Sequence, residues 1–383
     1  MPVSCHLVAN FALPNQLTMI RFFTLAFFIC PLCSTFAQPT EKAEKIVIIT
    51  LDGMRWQEIF SGMDEQLVNN PEYNQDARQR LQEQYGASTP GERRVKLMPF
   101  LWSTIANEGQ IYGNRLLGNQ VDNANPYWFS YPGYSEIFTG NVDSAINSND
   151  YPPNPNGNVL AFLQKQPDLN GKVAAFGAWD AFDRILNEKD SGFPVVCGSE
   201  PCGGTHPTPR EQMLNDLKRD AYAPFGASER LDVFTHYAAF EYLKDKHPNV
   251  LYISYGETDE WAHHGHYRDY LDAAHQTDQW IADIWHWIQS DADYQDKTAL
   301  LITTDHGRGD LDKNQWTSHG QSVPDSHEIW FAILGPGVPG LGEIRQPAQR
   351  YQKQFAQTIA EWLGYHFQSN HSVAPGIWTS IKP

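Results

Sequence analysis

The sequence of 383 residues predicts an α/β fold, doubly wound, with a mostly parallel central sheet, helices on both faces and inserted loops. Short apolar, strand-like runs alternate with helix-like segments, which is the pattern of a parallel sheet covered on both sides. Three of these runs are followed closely by a carboxylate, namely Asp52, Asp259 and Asp305. Ligands bind beyond the carboxyl ends of such strands, so we expect the three carboxylates to share one crevice.

The first half of the chain combines strands, helices and long polar connections. Apolar β-branched runs predict strands, and proline or glycine marks where helices begin and end. In chain order we expect a strand at Lys45–Leu51, a surface loop or irregular helix at Ser61–Glu92, a helix at Met98–Glu108, a strand at Ile111–Leu117, a helix at Tyr131–Phe138 closed by Gly140, and an Asn- and Pro-rich loop at Asn147–Asn158.

The second half has clearer periodicity. The long segment Tyr267–Ser290 carries an apolar stripe at helical spacing that includes Leu271, Ile281 and Ile288. The other expected elements are a strand at Lys172–Ala178, an irregular segment at Asp180–Pro209, a helix at Asp232–His247, strands at Val250–Tyr255, Ala299–Thr304 and Ile329–Leu334, and a last helix at Phe355–Leu363.

The composition excludes some classes of function. A formal net charge of −17 argues against binding to a phosphate backbone, so we expect no binding to a nucleic-acid duplex. The charge fits a soluble protein, or one that offsets part of its charge with divalent metals. The sequence shows no repeat and no clear linker, so residues 38–383 are expected to form a single domain.

The N-terminal residues 1–37 resemble a signal peptide preceded by an extension. A weakly basic start at Met19 precedes the apolar stretch Phe22–Cys33, and Thr35-Phe36-Ala37 offers small residues to a signal peptidase. We expect cleavage after Ala37, a periplasmic or secreted mature protein, and no stable membrane span in that mature chain. The apolar stretch is short for a membrane span, and a retained anchor is the alternative.

Cysteine usage bears on the redox compartment. Cleavage would leave Cys197 and Cys202, which lie in a loop rich in glycine and proline. Two cysteines at this spacing in an exported protein predict a small disulfide loop. A two-cysteine metal clip is the alternative, although no second pair completes a zinc set.

Histidines accompany the strand-end carboxylates. His306 follows Asp305 directly, and His263 lies four residues after Asp259, which places both on one face if the segment is helical. Carboxylates gathered this closely repel one another unless a cation holds them, so the pattern predicts a metal site. The alternative for Asp305-His306 is a strand-end turn with a capping aspartate, and the alternative for Asp259 and His263 is a solvated acidic turn.

Two further positions lie in polar segments. His319 precedes the last strand, with His327 as a rival, and a histidine in a polar loop can also be merely exposed. Ser130 stands before Tyr131-Pro132 at a predicted helix start, where backbone N–H groups and the helix dipole favour an anion. The same position is also that of an ordinary N-cap.

The order of these motifs resembles the alkaline phosphatase superfamily. The chain is most similar to the type I phosphodiesterase/nucleotide pyrophosphatase branch of that superfamily. The motifs that carry the similarity are, in chain order, a strand followed by Asp, a hydroxyl before x-Pro and a helix ending in Thr-Gly, Asp-x-x-x-His, Asp-His-Gly and His-Gly. The resemblance extends from about Lys45 to Pro336. It implies an exported phosphoric ester hydrolase, a phosphatase or phosphodiesterase, that acts on small-molecule phosphate esters.

The resemblance also implies a ligand set and a mechanism. Two divalent ions are expected, most commonly Zn²⁺, with Mn²⁺ or another divalent ion as alternatives. One would be held by Asp259, His263 and His319, and the other by Asp52, Asp305 and His306, with Ser130 as nucleophile at its open position. The attack would be in line, through a phosphoseryl intermediate, and Asn149 or Asn147 would donate to the phosphoryl oxygens.

Departures from the superfamily leave alternatives. Tyr134 stands where sulfatases carry the arginine of their x-Pro-x-Arg motif, which weakens a sulfatase-like reading. A metal-stabilised binding protein without turnover is a third hypothesis. Monoester or diester preference is open, with Arg184 and Arg308 as candidates to bind the second negative charge of a monoester. The oligomeric state is also open.

Overall fold

The structure is a computed structural model that describes residues 41–378, so the predicted export signal and extension at 1–37 lie outside the described residues. The strands are β1 Lys45–Leu51, β2 Gln110–Tyr112, β3 Asn119–Asp122, β4 Val173–Gly177, β5 Val195–Cys197, β6 Val250–Tyr255, β7 Thr298–Thr303, β8 Glu328–Ile329, β9 Phe331–Leu334, β10 Gly342–Glu343 and β11 Ala348–Tyr351. The α-helices are α1 Trp56–Ser61, α2 Glu65–Asn69, α3 Arg78–Tyr85, α4 Pro90–Leu97, α5 Ala106–Glu108, α6 Ser130–Thr139, α7 Val159–Gln164, α8 Phe182–Ile185, α9 Glu188–Ser191, α10 Pro209–Asp220, α11 Asp232–Lys246, α12 Glu257–His263, α13 Tyr267–Ser290 and α14 Phe355–Trp362.

A mostly parallel sheet forms the centre of the molecule. Its eight strands have the order β10–β2–β9–β7–β1–β6–β4–β5. The middle strand β1 pairs in parallel with β6 and β7, and β4 and β5 continue the parallel arrangement beyond β6. Strand β9 runs antiparallel to both of its neighbours, and β11, β3 and β8 form a separate three-stranded sheet. The predicted fold class is confirmed.

Helices cover both faces of the central sheet. On β1, Val47, Ile49 and Leu51 belong to one buried apolar cluster, which includes side chains of α13. Ile46 and Ile48 belong to a second cluster, which includes side chains of α6 and α14. A strand that is buried on both faces reads as a continuous apolar run, which is why β1 is visible in the sequence.

The long helices and central strands match the predictions closely. The predicted helix at Tyr267–Ser290 has the same bounds as α13, and α11 and α14 each end one residue earlier than predicted. The segment Ser61–Glu92, in contrast, contains α2, α3 and the start of α4. These helices bury only one or two side chains each, so their periodicity is weak.

Two other predicted elements differ in kind. The predicted helix at Met98–Glu108 is a π-helical turn at Leu101–Ile105 followed by the short α5. Its first amides are held by the carboxylate of Asp278, which accepts from Phe100 N at 2.6 Å. The strand predicted at Ile111–Leu117 stops at Tyr112 and is followed by a 3₁₀ turn at Arg115–Leu117.

The predicted disulfide is absent from the structure. Cys197 and Cys202 are both buried and free, and the described residues contain no disulfide. The Cys197 thiol donates to the Asp180 carbonyl at 3.3 Å, whereas the Cys202 thiol donates to Asn215 Oδ1 at 3.3 Å. The two sulfurs are therefore held by different segments. Between residues 41 and 378, the structure contains no helix with the length and apolar character of a membrane span.

Candidate metal centre

Three adjacent strands deliver the predicted carboxylates to one edge of the sheet. Asp52 follows β1 directly, Asp305 lies two residues beyond β7, and Asp259 lies on α12, which begins just after β6. Between them, Gly53 adopts φ +59 and donates its N–H to Asp305 Oδ1 at 3.1 Å. A Cβ at this position would lie 2.3 Å from Asp259 Oδ1, so only glycine lets the three acids approach.

The helix α12 is anchored at its N-terminus. The buried carboxylate of Asp232 accepts from Gly256 N at 2.7 Å and from Glu257 N at 3.0 Å. Glu257 Oε1 in turn accepts from Asp232 N at 2.8 Å. This reciprocal capping fixes the direction in which α12 leaves the sheet, and the helix carries Asp259 and His263 on one face, as their spacing predicts.

Asp259, His263 and His319 converge, and we call these three residues the first set. His263 Nε2 lies 3.0 Å from Asp259 Oδ2 and 3.0 Å from His319 Nε2. His319 Nδ1 lies 3.3 Å from the Trp128 carbonyl, which holds the imidazole with Nε2 toward the acids. The rival His327 lies elsewhere, with Nε2 at 3.7 Å from Asp122 Oδ1.

Asp52, Asp305 and His306 form the second set. His306 Nε2 lies 3.4 Å from Asp52 Oδ1 and 3.4 Å from Asp305 Oδ2. Apart from this imidazole, the two oxygens have no donor in range, although both are buried. Buried carboxylate oxygens normally have partners, and these two converge with an imidazole nitrogen. The second set therefore fits a divalent cation.

The two sets lie side by side. The rings of His306 and His319 stack with centroids 3.9 Å apart, and His306 Nε2 is also 3.8 Å from Asp259 Oδ1. Mixed carboxylate and imidazole ligands without thiolate suit Zn²⁺ and similar ions. The predicted donors thus lie next to one another in space, and His306 lies close enough to Asp259 and His319 to belong to either set.

The electrostatics of the second set favour a cation. Burial, and then the charges of Asp305 and Asp259, raise the pKa of Asp52 to about 7. Burial opposes the charged form of His306, but the carboxylates of Asp305 and Asp52 outweigh it and raise the pKa of His306 to about 9. Without a metal, the pocket thus retains protons to reduce the repulsion among its acids.

The first set has a different charge balance. Burial would raise the pKa of Asp259, but Arg308 and then His263 outweigh it and hold that pKa well below its usual range. Burial, followed by repulsion from His306, holds the pKa of His319 well below its usual range. Asp259 is therefore ionised and His319 neutral, which are the forms that bind a metal.

Ser130 begins α6 beside the second set. Its side chain is 6% exposed, and Oγ lies 3.3 Å from His306 Nε2. The helix can approach the end of β7 because Gly133 has no side chain, since a Cβ there would lie 2.5 Å from the Asp305 carbonyl. The preceding loop is fixed by buried Glu136, which accepts from Asn125 N at 2.8 Å.

Asn149 lies at the same end of α6. Its Oδ1 accepts the N–H of Tyr131 at 3.0 Å, and the residue is partly buried, whereas Asn147 is exposed. The Asn149 loop is held from behind by Arg184, whose Nη1 donates to the Tyr151 carbonyl at 2.8 Å and to the Asn149 carbonyl at 3.3 Å. Of the two candidates, Asn149 is therefore the one attached to the Ser130 helix.

Two side chains take positions that the sequence did not predict. Tyr134 is fully buried and donates its hydroxyl to Asp52 Oδ2 at 2.8 Å. The signal available was its spacing of four residues from Ser130, which places both on one helix face. Arg308, a candidate to bind the second negative charge of a monoester, is 1% exposed and pairs with Asp259 instead.

The fold is a mostly parallel α/β sheet, and acids and histidines are collected beyond its central strands. Together these features define a hydrolase of the alkaline phosphatase superfamily. The chain belongs to the type I phosphodiesterase / nucleotide pyrophosphatase family, whose model matches residues 68–365. That range includes every residue of the two sets except Asp52.

Solved structures with the same fold span several activities. Alkaline phosphatase PafA has a TM-score of 0.58 at 11% identity, over 88% of this chain and 98% of that chain. A 2-O GAG sulfatase has a TM-score of 0.54 at 12% identity, over 88% and 73%. The phosphonate monoester hydrolase of Agrobacterium radiobacter has a TM-score of 0.51 at 13% identity, over 87% and 76%. At these identities the likeness concerns the fold, and no curated protein sequence matches the chain.

Proposed function

We propose that the chain is an exported two-metal phosphoric ester hydrolase in which Ser130 is the nucleophile. The observation that carries the proposal is the position of Ser130 Oγ, 3.3 Å from His306 Nε2 in the second set. The first set lies on the other side of His306, so both sets can act on one substrate. Divalent ions held there would lower the pKa of the serine hydroxyl, neutralise phosphoryl charge and stabilise the leaving oxygen.

The residues of the chain supply position and hydrogen bonds. Attack in line forms the bond from Ser130 Oγ to phosphorus and breaks the bond to the leaving alcohol, and water later cleaves the phosphoserine. Because Asn149 Oδ1 already accepts from Tyr131 N, its Nδ2 is the end that remains to donate to a phosphoryl oxygen. The N-terminus of α6 adds a favourable dipole for the same charge.

We further propose that diesters are preferred over monoesters. A monoester carries a second negative charge that needs an extra cationic partner. Arg308 is buried against Asp259, and Arg184 donates to backbone carbonyls, so both candidate arginines are already engaged. A sulfatase-like activity is not favoured, because Tyr134 is committed to Asp52 where sulfatases require arginine.

The test is a paired assay on the mature protein with an aryl phosphate diester and the corresponding monoester. We expect faster hydrolysis of the diester and loss of both activities after complete metal removal. Ser130→Ala and Asp52→Asn should each reduce the rate by orders of magnitude. Ser135→Ala is the matched control, because Ser135 is also a buried serine of α6 and its Oγ accepts from Asn154 Nδ2. Full activity without metal, or in Ser130→Ala, would refute the mechanism.

The export proposal has its own test. Expression of the full chain in a bacterial host, followed by fractionation and N-terminal sequencing, should place a mature protein that begins at Gln38 outside the cytoplasm. A retained N-terminus in the membrane fraction would instead support the anchor. A mature protein that binds metal but hydrolyses neither ester would support a non-catalytic binding function.

A further inference from the structure

Arg308 lies under the segment that carries His319. The side chain is 1% exposed and its guanidinium makes contacts in two directions. On one side, Nε donates to the Trp316 carbonyl at 2.8 Å and Nη2 donates to the Thr317 carbonyl at 2.6 Å. These carbonyls lie three and two residues before His319, so the arginine fixes the backbone from which that histidine extends.

On the other side, Arg308 contacts the acid of the same set. Nη1 donates to Asp259 Oδ1, while Asp259 Oδ2 lies 3.0 Å from His263 Nε2. Arg308 thus binds Oδ1, the oxygen that lies 3.8 Å from His319 Nε2, and leaves Oδ2 to His263. A further contact joins Nη2 to His263 Nδ1 at 3.3 Å. This contact requires His263 Nδ1 to be unprotonated. A cation on Nε2 would place the imidazole proton on Nδ1 and so break this one contact.

We propose that Arg308 is a positioning residue whose planar fork ties the His319 segment to Asp259 and thereby assembles the first set. The inference rests on the proposed function, because it assumes that this set binds a metal. Charge alone does not explain the arginine, since a guanidinium beside the set repels a cation. A lysine would keep the charge, but its single nitrogen cannot bridge two carbonyls and a carboxylate in one plane.

The test is a competition titration of apoprotein with Zn²⁺ and a chromophoric chelator, which resolves the two dissociation constants. His319→Ala identifies the step that belongs to the first set. Arg308→Lys and Arg308→Met should both weaken that step by about 10- to 100-fold and leave the other step unchanged. Arg350→Lys is the matched control, because Arg350 is 5% exposed, lies on β11 and has Nε and Nη1 without hydrogen-bond partners.

The outcomes separate the alternatives. Wild-type affinity in Arg308→Lys would overturn the proposal, because only the charge would then matter, and tighter binding in Arg308→Met would overturn it as well. Circular dichroism checks that each variant is folded, and Arg308→Gln replaces any variant that is not. If the wild type bound no zinc, the proposed function would fail. If the Arg308 variants showed both binding steps with wild-type affinity, only the role of Arg308 would fail.

Discussion

The buried hydroxyl of Tyr134 offers a sharp test of how Asp52 is held. Tyr134 donates to Asp52 Oδ2 at 2.8 Å and lies 3.1 Å from Ser254 Oγ. With Oδ2 occupied in this way, Oδ1 faces His306. Tyr134→Phe removes one hydroxyl and keeps the ring, which packs against Phe182 with centroids 4.8 Å apart. The perturbation therefore acts on the orientation and charge of a single carboxylate.

The expected magnitude follows from the type of bond. A hydrogen bond to a charged group contributes about 1.5–3 kcal/mol. At about 1.4 kcal/mol for each factor of ten, its loss from the transition state corresponds to a decrease of roughly 10- to 150-fold in rate. Because Tyr134 is buried beneath Asp52, we expect the decrease in kcat with little change in KM.

The assay is steady-state hydrolysis of the aryl diester by metal-saturated wild type and variant. Tyr252→Phe is the matched control, since Tyr252 is equally buried and its hydroxyl lies 2.8 Å from Thr50 Oγ1 rather than from a carboxylate. The control should lose stability but keep its rate. A Tyr134→Phe enzyme with wild-type kcat, or an equal loss of rate in both variants, would contradict a role of the Tyr134 hydroxyl in holding Asp52.

Three further predictions concern metal, packing and pH. Chelation should lower the melting temperature, since a ligand at 100 times its Kd stabilises the fold by about 2.7 kcal/mol, and an unchanged melting curve would contradict the metal sites. Gly53→Ala should abolish hydrolysis and lower the melting temperature, because the added Cβ meets Asp259 Oδ1 at 2.3 Å. Burial, and then Lys244, lower the pKa of His236 to about 3. The unfolded chain therefore binds a proton on His236 more tightly than the folded chain does, and the free energy of unfolding falls as the pH decreases from about 6.5 to 3. At pH 5 the penalty is about 2 kcal/mol, and urea unfolding of His236→Phe should lack it.

Part of the fold is visible in the sequence because burial imposes a pattern. Strand β1 is apolar on both faces, and α13 carries a long stripe, so both were predicted with accurate bounds. The short helix α4 was missed because its signal lies in the capping box of Thr89 and Glu92 rather than in periodicity. The predicted disulfide was wrong because spacing alone does not show which partners each thiol finds.

The candidate site was predictable to a similar extent. Asp52 and Asp305 could be brought together from the sequence, because parallel neighbouring strands end at one edge of the sheet. The motif order favours His319 over His327, but only the folded path of their polar loop places His319 near Asp259 and His327 near Asp122. The hydrogen bond between Asn149 and the N-terminus of α6 is likewise a tertiary feature.

The two sets differ in how much charge they leave for a cation. In the first set, the single carboxylate of Asp259 is already paired with Arg308. The second set has two carboxylates, Asp52 and Asp305, and neither forms an ion pair with a lysine or arginine among the described residues. A divalent ion therefore gains more Coulombic energy in the second set, which we expect to fill first. Under the proposed function, Ser130, which lies beside that set, would be activated by the more tightly held ion, and the leaving-group side would depend on the weaker set and on the geometry that Arg308 imposes.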